Sequence, residues 1–395
     1  MGVSPMLFPG LSTAETAVGH TGETPVILTA GTAVLRSQGA NMSLDESFLV
    51  SPSDLNLRFL HGRPARALSY ANVGGPFAAW RDRCLTKFAE LLGLERPEGP
   101  SPVRVLRQAT HEGVTVQVLV MGVGPELSVP AYLLLPAQDR RPGRAVMAIH
   151  GHSVGRGEGC LGLKRGGYNG FALALAQAGH VVLMPFHRGF GPLRDLAADR
   201  PGYRMDYEQS MHFSYVTDSF LHGRTVVGEN VDDLLRWEHW LAQERGVREV
   251  LAAGLSYGGD LALAYPAFSR RVERIFASGS SGSFELHFCR CYNGPAHCVP
   301  GILRWMERSD VAGLNAPRPM VLQYGQIDTP SLNEPPARDN YAAAYNEAVP
   351  ALLAETQRIY AAAGAPDAVR LLVTPAVGHV MDVPALLEFL GGTGF

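Results

Sequence analysis

Apolar residues along the chain fall into short runs separated by polar segments, and these runs predict alternating strands and helices. Eight segments have the length and pattern of strands: 114–121, 129–135, 144–149, 180–185, 249–254, 273–278, 319–324 and 369–374. Five have helical spacing: 168–178, 229–244, 257–267, 336–363 and 383–390. The later strands are uninterrupted apolar runs, which predicts an α/β fold with a mostly parallel sheet of about eight strands and helices on both faces. The first two alternate or border on proline, which is compatible with antiparallel pairing at one edge.

The beginning of the chain differs in composition from the rest. Residues 1–50 are rich in Gly, Thr, Ser and Ala without a sustained period, which predicts a poorly ordered or loosely packed extension. Met42 is an alternative start. After residue 100 there is no break strong enough to divide the chain, and we expect residues 51–395 to form a single domain.

A helix is predicted near the start of this domain, over residues 76–93. Its spacing places Trp80, Cys84, Phe88 and either Leu91 or Leu92 on one face, and Gly93 follows as a typical helix C-cap.

Bulk composition excludes several classes of function. The net charge is −3 without a basic run, so nothing indicates nucleic acid or an anionic membrane surface as a partner. No segment reaches the roughly 18 apolar residues of a membrane-spanning helix. Residues 1–35 hold no lysine or arginine, which argues against a secretory signal, and five cysteines favour a reducing compartment. We expect a cytoplasmic protein that acts on a small molecule, and a homo-oligomer stays open.

The sequence Gly-Leu-Ser-Tyr-Gly at 254–258 is the strongest candidate for chemistry. It stands between a short apolar strand and the opening of a helix. A serine on such a sharp turn is exposed, the flanking glycines avoid collisions across the turn, and the helix N-terminus faces the developing negative charge. Ser256 is therefore predicted to be a nucleophile.

A second match to the same pattern lies at 151–155, with Ser153 at its centre. The residues that follow, 156–162, have the Gly-rich composition of a loop and do not begin a helix. Ser153 is therefore rejected as the nucleophile.

A serine nucleophile needs a base and a carboxylate that orients the base. On an elbow of this kind both follow later in the chain, at the ends of later strands. Asp328 follows the strand at 319–324 and is predicted to orient the base, and His379 follows the strand at 369–374 and is predicted to be that base.

Each of these residues has an alternative interpretation. Asp328 is also suited to capping a turn before Pro330. Asp382 lies closer to His379 in sequence and is the rival acid, although its place before the last helix is typical of a helix cap. His379 is the only histidine after the last predicted strand, and a purely structural role is its alternative.

An oxyanion hole requires backbone N–H donors near the nucleophile. The residue after the nucleophile, Tyr257, is expected to supply one. The loop after the strand at 144–149 is expected to supply the other, from His152, while His150 is expected to brace that loop.

Six motifs carry a resemblance to a known family: Ile149-His-Gly-His-Ser-Val-Gly155, Arg188-Gly-Phe-Gly191, Gly254-Leu-Ser-Tyr-Gly-Gly259, Cys291 to Pro300-Gly301, Leu314-Asn-Ala-Pro-Arg-Pro319 and Gly325-Gln-Ile-Asp328. They look like the acetyl-xylan-esterase-related and dienelactone-hydrolase-like branch of the α/β-hydrolase superfamily, from about residue 75 to the end. The resemblance implies an α/β-hydrolase fold and a serine carboxylic-ester hydrolase without a cofactor.

The sequence departs from that branch at two positions. His187 stands where the branch usually has Asp, and Ser153 stands where it tends to have Gly. Both bear on the substrate and leave the nucleophile unaffected. Dienelactone hydrolases proper use a cysteine at the elbow, and Ser256 argues against that chemistry.

One cluster suggests zinc: His287, Cys289, Cys291, His297 and Cys298. Its Cys-x-Cys spacing is tighter than that of a zinc knuckle, and there is no second pair. We therefore predict no metal site and interpret the cluster as packed thiols.

Two long insertions, 186–227 and 280–318, follow predicted strands and are expected to lie over the site. The sequence thus predicts an esterase for a small acyl group or a compact substrate. The same triad cleaving a C–C, thioester or amide bond is an alternative, and a non-catalytic binding protein on the same fold is another.

Overall fold

The structure is a computed structural model. It describes residues 34–37, 40–43, 66–95, 101–125, 127–152, 155, 157–193, 215–286, 294–328 and 335–391, with side chains of the last range from 346 onward. The chain divides into two compact units, Met1–Arg63 and Pro64–Phe395. In the first unit, Val34–Ser37 and Ala40–Ser43 pair as an antiparallel hairpin. The prediction of a loosely packed extension over residues 1–50 otherwise lies outside the described residues.

The second unit is organised around one sheet of nine described strands. They are β1 Val103–His111, β2 Val114–Gly122, β3 Ser128–Leu135, β4 Arg144–Ile149, β5 Val181–Pro185, β6 Glu249–Leu255, β7 Val272–Ser278, β8 Met320–Gly325 and β9 Val369–Thr374. Their order across the sheet is β9-β8-β7-β6-β4-β5-β3-β2-β1. The six strands from β4 to β9 are parallel to their neighbours in that group. The first three pair antiparallel at one edge.

This arrangement confirms the predicted mostly parallel sheet and the antiparallel pairing of the first predicted strands. The prediction missed β1, the edge strand. Most of its residues are exposed, so Val103–His111 does not have the buried alternation that marks a strand in sequence.

Helices flank the sheet, and all five helices predicted after residue 100 are present. Besides a single helical turn at Tyr70–Val73, the described α-helices are α1 Phe77–Leu92, α2 Phe171–Gln177, α3 Val226–Arg245, α4 Tyr257–Ala264, α5 Arg308–Gly313, α6 Pro335–Ala362 and α7 Val383–Gly391. The helix predicted over 257–267 changes to a 3₁₀ turn at Tyr265–Phe268, because Pro266 has no N–H for an α-helical hydrogen bond.

The helix α1 confirms the prediction for residues 76–93. Trp80, Cys84, Phe88 and Leu92 are buried along one face, and Gly93 ends the helix in the left-handed conformation. The Trp80 indole donates to the carbonyl of residue 68, at 2.8 Å. The buried face of the helix belongs to the main hydrophobic core.

No helix in the described ranges is both long enough and apolar enough to cross a membrane. The cytoplasmic location stays a prediction.

Candidate active site

Ser256 occupies the turn between β6 and α4, at the carboxyl end of the parallel strands. Its φ is 63° and its ψ is −125°, a conformation that L-residues rarely adopt. Such strain costs about 1–3 kcal/mol and persists only where the surrounding structure enforces it. The predicted strand–serine–helix turn is therefore present.

Close backbone packing explains the glycines around this turn. A Cβ atom on Gly254 would lie 2.0 Å from the Gly258 carbonyl oxygen. A Cβ atom on Gly258 would lie 2.1 Å from the carbonyl oxygen of Ile149, at the end of β4. Since real Cβ atoms essentially never come this close, only glycine fits at either position.

The strand β7 fixes the backbone of Ser256. The Ser256 N–H donates to the Ser278 carbonyl at 2.8 Å, and the Ser280 hydroxyl donates to the Ser256 carbonyl at 2.5 Å. Sequence reasoning missed Ser280, and the signal for it was its place two residues after the end of β7, the strand beside β6.

Asp328 and His379 meet at the ends of β8 and β9. Nδ1 of His379 lies 2.9 Å and 3.1 Å from the two carboxylate oxygens of Asp328. The Asp328 side chain is 2% exposed. The rival Asp382 instead accepts from the Ala385 N–H, at 3.1 Å, and from the Thr374 hydroxyl, at 2.8 Å. Asp382 therefore caps α7, and Asp328 is the carboxylate bonded to the histidine.

The His379 ring lies beside the segments that hold Ser256. A Cβ atom on Gly279 would lie 2.6 Å from Cε1 of His379 and 3.4 Å from Leu255, the residue before the serine. Nε2 of His379 is buried and has no hydrogen bond to any described residue, Ser256 included. Catalytic hydrogen bonds of this kind often tighten only when substrate binds.

The loop after β4 lies directly against the nucleophile. A Cβ atom on Gly151 would lie 2.7 Å from Cβ of Ser256 and 3.2 Å from the Tyr257 nitrogen. As the first residue of α4, Tyr257 has an N–H without an intrahelical acceptor. The two segments predicted to form the oxyanion hole are thus adjacent.

His152, the other predicted donor residue, is held through its carbonyl and its ring. The Tyr168 hydroxyl donates to the His152 carbonyl. The ring packs edge-on against Phe190, from the first insertion, and stacks on His297, from the second. Both described insertion segments therefore reach this loop.

His150 and His187 form a buried pair behind the loop. Nε2 of His150 accepts from the His187 N–H at 3.2 Å, Nδ1 lies 2.9 Å from the Gly151 carbonyl, and the two ring centroids are 4.1 Å apart. Burial lowers the pKa of His150 to about 4 and the pKa of His187 well below its usual value. Both rings are neutral at pH 7, and His150 braces the loop as predicted.

Arg188 connects the segment after β5 to the helix α3. Its guanidinium donates twice to the Asp233 carboxylate, at 2.7 and 2.8 Å. The backbone N–H of Arg188 donates to Oδ1 of Asn230 at 2.7 Å. The Asn230 amide in turn donates to the Tyr257 hydroxyl at 2.9 Å. Tyr257 is anchored through its side chain, which leaves its backbone N–H in a fixed position.

The cysteine-bearing cluster is described only in part. His287, Cys289 and Cys291 lie outside the described residues, while Cys298 is half-buried and Nδ1 of His297 is hydrogen-bonded to Asp260. Among the residues that the structure describes, no three His, Cys, Asp or Glu side chains are grouped as a metal site requires. Ser153 also lies outside the described residues.

Solved structures of ester hydrolases share this architecture. A putative acetyl xylan esterase from Bacteroides fragilis superposes with a TM-score of 0.62 at 16% identity, over 82% of each chain. A methylesterase gives 0.56 at 16% identity, over 92% of this chain and 73% of the other. The chain has the α/β-hydrolase fold. A carbohydrate esterase family 15 glucuronoyl esterase from Caldicellulosiruptor kristjansonii gives 0.53 at 14% identity, over 85% and 91%.

These comparisons confirm the α/β-hydrolase fold that the sequence motifs implied. At such identities the likeness establishes the fold and leaves the substrate open. No protein-family model and no curated protein matches the sequence.

Proposed function

We propose that this protein is a serine hydrolase of carboxylic esters, with Ser256 as nucleophile, His379 as base and Asp328 as orienting acid. The observation that carries the proposal is the Asp328–His379 hydrogen bond beside a strained elbow serine. Neither feature alone specifies chemistry, but together they supply the groups that an acyl transfer needs.

The tautomer of His379 follows from its partner. With the Nδ1–H group donating a hydrogen bond to the Asp328 carboxylate, Nε2 carries the lone pair that accepts a proton. The Ser256 hydroxyl attacks the ester carbonyl as its proton moves to Nε2, and the alcohol leaves with that proton. A water molecule then gives its proton to Nε2 and attacks the acyl-enzyme, which releases the acid and restores Ser256.

The oxyanion of each tetrahedral intermediate would be stabilised by the N–H groups of Tyr257 and His152. Loss of one such donor costs about 10²–10³ in rate. Gly151 keeps this space open, because any side chain there would press on both Ser256 and the Tyr257 nitrogen.

An ester is the bond that the observations favour. The compared structures are named as acetyl xylan, methyl and glucuronoyl esterases, which supports an ester over a C–C or amide bond. The contacts of Phe190 and His297 with the loop after β4 place insertion residues beside the site. This favours a small acyl group or a compact substrate.

A substrate panel tests the proposal. p-Nitrophenyl acetate, butyrate and octanoate are compared with an acyl thioester, an anilide and a β-diketone, using wild type, Ser256→Ala and His379→Ala. We expect turnover of the acetyl or butyryl ester and loss of about 10³-fold or more in both variants. Cleavage of the β-diketone or anilide without ester turnover would favour the alternative bonds. Inactivity on every substrate would favour the binding protein.

A further inference from the structure

A second histidine–carboxylate pair lies near the nucleophile, and the proposed reaction does not use it. Nδ1 of His297 is hydrogen-bonded to the Asp260 carboxylate. Both side chains are largely buried, with 2% and 11% exposed. A buried pair of this kind holds both groups in one geometry.

Asp260 is itself rigidly placed. It lies on α4, four residues after Ser256 and in the first turn of the same helix. Its other carboxylate oxygen lies 3.0 Å from the guanidinium of Arg308, which is 1% exposed. Arg308 also donates to the Gly282 carbonyl at 2.8 Å. The ion pair offsets the carboxylate charge beside the helix N-terminus, where an oxyanion would develop.

The ring of His297 contacts the loop after β4. It stacks on the ring of His152, with centroids 5.0 Å apart and planes at 17°. Both rings make T-shaped contacts with the Tyr257 ring, with centroid distances of 4.9 Å for His297 and 6.0 Å for His152. Gly294 closes the other side, since a Cβ atom there would lie 2.9 Å from Nε2 of His152. The two predicted oxyanion donors therefore share one packed cluster.

We propose that His297, fixed by Asp260, is a positioning residue: it holds the loop of His152 so that the His152 N–H donor of the oxyanion hole lies beside the nucleophile. This inference rests on the proposed function. Ser256 and the Tyr257 donor lie at the N-terminus of α4 on one side of this cluster. His152 lies on the other side, stacked on His297. Because oxyanion donors act only at hydrogen-bond distance, a displacement of about 1 Å costs up to about 10²-fold in rate.

Two substitutions separate the ring from its hydrogen bond. His297→Asn keeps a donor for Asp260 and removes the stacked ring, and we expect kcat to fall about 10- to 100-fold with KM within about twofold. His297→Phe keeps a flat ring and should retain more activity than His297→Asn. His239→Asn, at an exposed position on α3, is the matched control and should match wild type.

The affinity for a trifluoromethyl ketone, which forms a tetrahedral oxyanion on the serine, distinguishes positioning from a purely structural role. A purely structural role of His297 would leave this affinity unchanged. Its inhibition constant should rise in His297→Asn by the same factor by which kcat/KM falls. Loss of thermal stability with an unchanged inhibition constant would overturn the inference.

Gly294→Ala tests the same arm should His297→Asn fail to fold. The φ of Gly294 is −56°, which alanine adopts without strain, and the added methyl presses on the His152 ring. We expect kcat to fall at least fivefold, and a wild-type kcat would overturn the inference.

The two proposals fail in different ways. If the wild-type protein does not react with a fluorophosphonate, the proposed function is contradicted. If the wild-type protein reacts with the fluorophosphonate and both His297→Asn and Gly294→Ala react equally fast, only the positioning role is contradicted.

Discussion

Asp328 and His379 lie 51 residues apart in sequence, yet both carboxylate oxygens of Asp328 lie within 3.1 Å of Nδ1 of His379. Two adjacent parallel strands, β8 and β9, bring them to the same edge of the sheet. Their bond selects the tautomer with a free lone pair on Nε2, which is what the proposed base requires.

Asp328→Asn should therefore lower kcat for p-nitrophenyl acetate by about 10⁴-fold, because an amide in place of the carboxylate favours the wrong tautomer. Steady-state kinetics of the purified variant provide the measurement. Asp382→Asn is the matched control, since Asp382 caps α7 and should change kcat less than about threefold. Equal losses in the two variants would contradict the assignment of the acid.

Gly151→Ala should strongly reduce activity, because the added methyl would fill the space beside the two expected oxyanion donors. The added methyl would lie 2.7 Å from Cβ of Ser256 and 3.2 Å from the Tyr257 nitrogen. We expect kcat/KM to fall at least about 10²-fold. Gly124→Ala, where nothing lies within 4 Å of the added methyl, should leave kinetics unchanged. A fully active Gly151→Ala would show that the oxyanion hole lies elsewhere.

Stability should fall below neutral pH because His150 is buried in its neutral form. Its pKa of about 4 lies below the unfolded value of about 6.5, so the unfolded chain binds this proton first as the pH falls. His150 stabilises the fold fully above about pH 6.5, and this contribution declines toward pH 4. From His150 alone, the free energy of unfolding should be about 1.4 kcal/mol lower at about pH 5.5 than at about pH 7.5.

Urea denaturation at both pH values measures this difference. His150→Asn keeps a donor toward the Gly151 carbonyl without titrating, and should reduce the pH dependence. An unchanged wild-type stability between the two pH values would contradict the buried neutral assignment.

Arg188→Ala should destabilise the fold by about 3 kcal/mol, because it leaves the Asp233 carboxylate buried without its bidentate partner. Burial already raises the pKa of Asp233, and Arg188 opposes that rise. Equilibrium urea denaturation measures the change. Arg83→Ala, on the exposed face of α1, should stay within about 0.5 kcal/mol of wild type. Equal stabilities for the two variants would contradict a structural role for this ion pair.

Much of the fold could be predicted from sequence because most strands are buried on both faces. The runs that became β4 to β8 are mainly apolar, and most of their residues are buried. The strand β9, at the other edge of the sheet, is only partly buried. The edge strand β1 was missed because its exposed residues carry no such signal.

The elbow and the acid–histidine pair could be predicted because their positions follow strand ends. Asp260 and His297 could not, since their contact depends on how an insertion folds back onto α4. The sequence shows that Asp260 lies four residues after Ser256, but it does not show that His297 is the residue bonded to Asp260. In the sequence, His297 stands out only as a candidate metal ligand.

The most direct test of the central claim is the site of covalent modification by a fluorophosphonate. Wild type is incubated with the probe, digested and mapped by mass spectrometry, beside Ser256→Ala. We predict a single phosphonyl adduct on the peptide that contains Ser256, and no adduct in the variant. An unlabelled wild type, or an adduct on another residue that persists in Ser256→Ala, would contradict Ser256 as the nucleophile.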